Sequence, residues 1–295
     1  MKSELETGEF QSTRRGFLLS AGAVAAGLAM ASKASAEALP DQGSPLAVRI
    51  TSYGKFQDAA WEHLPSIGVH NLFLPVPKPE EVDGMMQKLD KHGLKALVIR
   101  GDTDWSKDSC VEQLAGQLAV CEKMGVHYMF LSVKCNGAPK QDVCGRLRRA
   151  GDEAKKHGVT LTFETHPELG TNGGVQLETM AAVHHPNVRI NFDTGNISYY
   201  NKGGDAVTEL KKVAKLVGTM ELKDHNLEPE SWNFPVLGKG KVDFPNILKM
   251  LRKVNFTGPI TIEFEGVKGV ELDEAQTKQS IADSVAYLKS LAVFK

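Results

Sequence analysis

Short apolar runs alternate with longer charged segments, eight times over and without a break, from Leu46 to the C-terminus. The short runs suit strands covered on both faces. The longer segments repeat apolar residues at i, i+3 and i+4 and predict helices. Strands are expected at 46–53, 69–74, 94–100, 126–133, 159–165, 188–193, 219–223 and 259–265. Helices are expected at 56–67, 79–92, 108–124, 139–157, 175–184, 205–217, 244–254 and 273–291. Ile67-Gly68-Val69, His92-Gly93-Leu94, Met124-Gly125-Val126 and His157-Gly158-Val159 repeat one signal, a glycine that ends a helix in the left-handed region before the chain enters a strand. Such alternation implies parallel strands with right-handed crossovers, and eight units fit a closed barrel of about 250 residues. The expected fold is α/β, a single (β/α)8 TIM barrel. An open doubly wound sheet is the alternative, disfavoured because no G-x-G-x-x-G turn follows the first strand.

Residues 1–36 read as an address. Thr13-Arg14-Arg15-Gly16-Phe17-Leu18 matches a twin-arginine export signal, and an Ala- and Gly-rich apolar stretch follows to residue 31. That stretch is shorter than the roughly 20 residues a membrane-spanning helix needs. Ala34-Ser35-Ala36 supplies the small residues of a cleavage site,. The expectation is a signal peptide at 1–36, a barrel domain at 37–295 and a periplasmic or otherwise exported product with no stable membrane anchor after cleavage. An uncleaved signal acting as an anchor is the alternative. The 35 basic and 36 acidic residues, with no basic run beyond 146–149, argue against nucleic acid as a partner,. Cys110, Cys121, Cys135 and Cys144 lack C-x-x-C spacing. They read as idle thiols, with one disulfide left open in an oxidising compartment.

In a barrel of this kind the site lies at the C-terminal strand ends. Strand five ends in Thr162-Phe163-Glu164-Thr165-His166, strand six in Asn191-Phe192-Asp193-Thr194-Gly195-Asn196, strand seven in Met220-Glu221-Leu222-Lys223-Asp224-His225 and strand eight in Thr261-Ile262-Glu263-Phe264-Glu265. Alternation along a strand places Glu164 with Thr162 and His166, Asp193 with Asn191, Glu221 with Lys223 and His225, and Glu263 with Glu265. Acids on four neighbouring strands facing one mouth repel one another unless compensated. One remedy is a divalent cation, and an all-oxygen set favours Mg²⁺ or Mn²⁺. The other is pairing with Lys and Arg across the mouth.

The segments F-E-T-H, D-T-G-N, E-L-K-D and L-G-K-G-K-V-D-F, the last ahead of I-T-I-E-F-E, resemble the sugar phosphate isomerase/epimerase superfamily, also called the xylose-isomerase-like barrels. Ketose 3-epimerases, hydroxypyruvate isomerase and inosose dehydratase belong to it. The resemblance implies one divalent ion held by Glu, Asp, His and Glu on strands five to eight, of which Glu164, Asp193 and Glu263 are three. Glu221 stands where the family usually has His, which makes it the expected fourth ligand, with His225 as the fallback. Asn196 stands where many members place a substrate-contacting His. The resemblance further implies Glu164 and Glu263 as catalytic acid and base on opposite faces of the substrate.

His166, Asn196, Lys223, His225 and Trp232 are the candidate substrate contacts. Each has a plainer reading as a loop residue, turn, salt bridge or packing group. Tyr53, Lys134 and a loop at 101–108 are further candidates for lining the mouth. The expected activity is isomerisation or epimerisation of a keto-sugar or polyol derivative through an ene-diolate. A lyase or dehydratase acting on a keto-sugar, inosose or 3-keto-glycoside with the same metal site is a second reading, and a non-catalytic sugar-binding barrel is a third. An endonuclease barrel is disfavoured by charge and by the export signal. The expected partner is a small sugar or polyol, and an oligomer stays open.

Overall fold

The computed structural model describes residues 39–295, so the twin-arginine segment lies outside the described residues. Eight parallel strands close into a barrel: β1 (Leu46–Arg49), β2 (Asn71–Pro75), β3 (Lys95–Gly101), β4 (Tyr128–Leu131), β5 (Thr160–Glu164), β6 (Val188–Asp193), β7 (Val217–Leu222) and β9 (Ile260–Ile262). Closure is made by β9, whose Thr261 stands beside Ala47 of β1 and Glu221 of β7. A two-stranded antiparallel hairpin, β8 (Asn233–Phe234) with β10 (Gly266–Val267), stands apart from the barrel sheet.

The helices are α1 (Ala60–Ser66), α2 (Val82–Lys91), α3 (Cys110–Met124), α4 (Lys140–Lys156), α5 (Gly173–Val183), α6 (Thr194–Tyr200), α7 (Ala206–Val213), α8 (Phe244–Lys253) and α9 (Glu274–Leu291). Leu72, Leu74, Phe163 and Phe192 join the main core with helix residues such as Leu114, Leu147 and Ile247. Phe73, Val98 and Phe130 form a separate small cluster. Their positions alternate with the helix-facing residues of β2, β3 and β4, which sets them inside the barrel. The opposite half of the interior is polar. The Thr219 hydroxyl donates to Asn191 Oδ1 at 2.7 Å and lies 3.0 Å from the Thr162 hydroxyl. The barrel interior thus has an apolar side under β2–β4 and a hydrogen-bonded side under β5–β7.

The predicted alternation matches the strand and helix order, with three local differences. The first strand stops at Arg49, because residues 50–59 form tight helical turns broken at Gly54, whose φ is +54°. Helix α6 was not expected. It begins directly at the end of β6, with Asp193 as its cap. The β8–β10 hairpin was read only as loop. All four cysteines are buried and free.

Candidate functional site

Glu164, Asp193 and Glu221 each bring one carboxylate oxygen within 4.8 Å of the others. Their convergence follows from register: Glu164 pairs with Asn191 and Asp193 with Glu221 across adjacent parallel strands. Asp193 divides its two oxygens. Oδ1 accepts the backbone N–H groups of Gly195 and Asn196 at 2.9 Å and caps α6,. Oδ2 is buried and lies 2.9 Å from the Lys223 ammonium, which also donates to Glu263 and Glu265.

Glu263 stands outside that trio. Its Oε1 contacts Arg49 Nη1 and its Oε2 accepts from Lys223 Nζ at 2.8 Å. Lys223 also reaches Glu265 at 3.2 Å. Arg49, from the end of β1, donates to Glu221 Oε1 at 2.9 Å, while Asn191 Nδ2 donates to the other oxygen of Glu221 at 2.8 Å. The guanidinium carbon lies 4.7 Å and 5.0 Å from the ring centres of Phe73 and Phe130, so the apolar side of the barrel supports the cation. Both remedies foreseen for the acids therefore meet here: a carboxylate trio suited to an ion, and cations paired across the mouth. Arg49 was not singled out in the sequence. The signal was a lone charge ending the apolar run Leu46-Ala47-Val48.

Burial and then the neighbouring Glu263 push Asp193 up to about 8, against the pull of Lys223. Burial and Glu263 likewise hold Glu221 well above the usual carboxylate range, with Arg49 opposing. Burial works against the charge of Glu263 too, but Lys223 and Arg49 bring it down to about 2. Desolvation disfavours the Lys223 ammonium, yet Asp193, Glu263 and Glu265 keep it charged. The cluster thus favours extra protons on Asp193 and Glu221, the positions where a cation would be accommodated in their place. Three converging carboxylates that offer only oxygen donors fit a hard divalent ion,.

The other expected contacts separate into two groups. Asn196 lies beside the trio: its Nδ2 donates to the Thr165 carbonyl at 3.0 Å and lies 3.5 Å from Glu164 Oε1. His166, half-buried, donates from Nδ1 to the Pro167 carbonyl at 2.7 Å and packs edge-on against Tyr200. His225 is drawn away from the trio, because β7 ends at Leu222 and strand alternation no longer places it. Its Nε2 must donate to the Ser231 carbonyl at 2.9 Å, and its Nδ1 accepts from the Ser198 hydroxyl at 2.6 Å. Nδ1 is thus taken by α6 and Nε2 by the loop, which leaves neither nitrogen free to reach an ion. Tyr53 is buried with its hydroxyl 2.8 Å from His63 Nδ1, and it lines one cavity with Trp232, Glu263 and Glu265, as expected of a residue at the mouth. Lys134 lines a separate cavity with Asp102 and Trp105.

Trp232 packs edge-on against Tyr199 and Phe234 and remains 44% exposed. It lines a cavity of about 480 Å³ with Ser52, Phe56, Glu263, Glu265 and Val270. The loop carrying it is organised by Asp224, which accepts the backbone N–H groups of His225, Gly238, Gly240 and Val242. A Cβ on Gly240 would overlap the Asp224 carboxylate, which accounts for glycine at that point of the L-G-K-G-K-V-D-F segment.

Residues 60–291 match the family model described as "Xylose isomerase-like TIM barrel". The chain belongs to this family. Among solved structures, D-psicose 3-epimerase with D-tagatose from Clostridium cellulolyticum H10 superposes with a TM-score of 0.69 at 12% identity, covering 84% of this chain and 100% of that one. The IOLI protein with a bound zinc atom superposes at 0.68 and 16% identity, covering 84% and 99%. Among curated proteins, the inosose dehydratase of Clostridium botulinum is 28% identical over 137 residues, 40% of this chain. That match spans 45% of the dehydratase, about half its length.

Proposed function

We propose that this xylose isomerase-like barrel is an enzyme that removes a proton from the carbon beside the carbonyl of a keto-sugar, inosose or related polyol derivative. The observation that carries the reading is the trio of carboxylates, Glu164, Asp193 and Glu221, converging at the C-terminal strand ends. Glu164, Asp193 and Glu221 would hold one Mn²⁺ or Mg²⁺, and Glu263 would join them only by leaving Arg49 or Lys223. When bound, such an ion polarises a carbonyl and its neighbouring hydroxyl and makes the adjacent C–H more acidic. Glu164 accepts the proton on the oxygen it does not give to the ion, since no Lys or Arg among the described residues pairs with it, and Asn196 Nδ2 lies 3.5 Å from its Oε1. Glu164, protonated in that step, returns the proton to a departing oxygen, and Lys223, kept charged by Asp193, Glu263 and Glu265, stabilises the charge that builds there,. Trp232 and the adjoining cavity receive the apolar face of a ring.

Isomerisation, epimerisation and elimination share this first step. Epimerisation needs a second free base on the opposite face, and Glu263, the expected candidate, is fastened by two cations. One free carboxylate with an ammonium nearby favours β-elimination of water or a glycosyl oxygen, in keeping with the likeness to an inosose dehydratase. The test is ¹H NMR in D₂O of metal-loaded protein with ketoses, inososes and 3-keto-glycosides. An unsaturated product is expected. A deuterated epimer in its place would move the assignment to the epimerase branch, and no turnover with no bound metal would favour a sugar-binding barrel. The twin-arginine segment supports export, and we propose a periplasmic or otherwise exported product.

A further inference from the structure

We propose that Arg49 is a built-in counter-cation that competes with the divalent ion for Glu221 and sets how tightly the site holds it. The inference rests on the reading that the trio binds an ion. Arg49 is 7% exposed, and Phe73 and Phe130 flank its guanidinium, so water cannot solvate it freely. Its counter-charges are Glu221 at 2.9 Å and Glu263. Glu221 has little to spare, because Asn191 Nδ2 takes one oxygen at 2.8 Å and Arg49 takes the other. An ion reaching Glu221 must share Oε1 with the guanidinium, share Oε2 with the Asn191 amide, or displace one of these donors, and on either oxygen it lies close to the Arg49 charge,. Sharing sets a divalent charge beside a fixed positive charge in a buried, weakly screened setting. Lys223 adds a second cation beside Asp193 and Glu263 but does not contact Glu221. Arg49 is therefore the group whose charge opposes the ion at the strand-seven acid. This makes it a positioning residue that acts through Glu221 and Glu263.

The experiment is calorimetric titration of Mn²⁺ into metal-stripped full-length protein. Wild type is compared with Arg49→Met, which keeps an apolar stem over the two rings, and with Arg49→Lys, which keeps the charge. Arg49→Met is expected to bind Mn²⁺ roughly tenfold or more tightly than wild type, while Arg49→Lys stays within about threefold of it. Wild type that binds Mn²⁺ while a folded Arg49→Met binds no more tightly overturns the proposal and leaves the metal site standing. Equal tightening in both variants also overturns it, since shape would then matter and charge would not. No Mn²⁺ binding in any of the three proteins removes the metal reading and this proposal with it. Binding by Arg49→Met alone supports the proposal in its strongest form. If Arg49→Met does not fold, the ¹⁵Nε–¹Hε resonance of Arg49, identified by its absence from Arg49→Lys, decides. Saturating wild type with Mg²⁺ is expected to shift it, and an unmoved resonance overturns the proposal.

Discussion

The guanidinium of Arg49, at the end of the first barrel strand, lies 2.9 Å from the carboxylate of Glu221 on the seventh. The two residues are 172 positions apart in the chain. Their contact passes over the single strand β9 that lies between β1 and β7, and it leaves the acids of the mouth unequally compensated. Glu221 and Glu263 are tied to Arg49, Lys223 holds Asp193, Glu263 and Glu265, and Glu164 has no cation partner among the described residues.

That asymmetry makes Glu164 the residue whose loss removes chemistry with the least disturbance of the fold. Glu164→Gln is expected to lower kcat roughly 10²-fold or more, the usual scale for a lost general base. It should shift the melting temperature by no more than about 2 °C, since the side chain is only partly buried,. Steady-state kinetics and scanning calorimetry on the same preparation check both halves. Full activity in this variant removes Glu164 as the base.

Metal-free protein should lose stability as pH rises. Asp193 is raised from its unfolded value of 3.8 to about 8, so between those limits the folded chain holds a proton that the unfolded chain has released. Stabilisation by that proton is complete below the unfolded value and disappears as pH climbs through the folded one. The expected fall in melting temperature between pH 5 and pH 8 is up to roughly 3 °C per pH unit. Asp193→Asn should flatten it, and saturating Mn²⁺ should abolish it by taking the proton's place. Thermal melts across that range, with EDTA and with metal, make the comparison. An Asp193→Asn slope equal to wild type would show that other groups carry it.

Asp224 is a structural acid whose removal should be costly. Four backbone N–H groups point at its carboxylate at 2.8–3.1 Å, and alanine would leave several of them buried without a partner. The expected loss is roughly 3 kcal/mol or more, read as a drop in melting temperature. The Trp232 loop should also loosen, read as greater acrylamide quenching of tryptophan fluorescence. An unchanged melt and unchanged quenching would show that the loop is held by its aromatic packing.

Export is tested on the segment outside the described residues. With the first 36 residues fused to a reporter, Arg14→Lys together with Arg15→Lys should abolish its appearance outside the cytoplasm. Mass spectrometry of the exported chain should begin it near Glu37. Undiminished export of the double variant refutes the twin-arginine assignment.

The sequence by itself determined the order and parity of the barrel. Side chains alternate along a strand, and glycines after helices mark where strands begin, so local periodicity sufficed to place Glu164, Asp193, Glu221 and Glu263 at the mouth. The same parity carried Lys223 to the acids, because it directly follows the last residue of β7 and its long stem reaches Asp193 and Glu263,. Parity failed at His225, two residues further on, where the chain has left the strand and hydrogen bonds to Ser198 and Ser231 decide the ring's position. Tertiary structure alone decided which cations meet which acids. Barrel closure sets β1 beside β9 and brings Arg49 across to β7, and the face formed by Phe73 and Phe130 gives its guanidinium a place to lie. Such pairing depends on distances across the mouth between groups far apart in the chain, and no local period in the sequence encodes those distances.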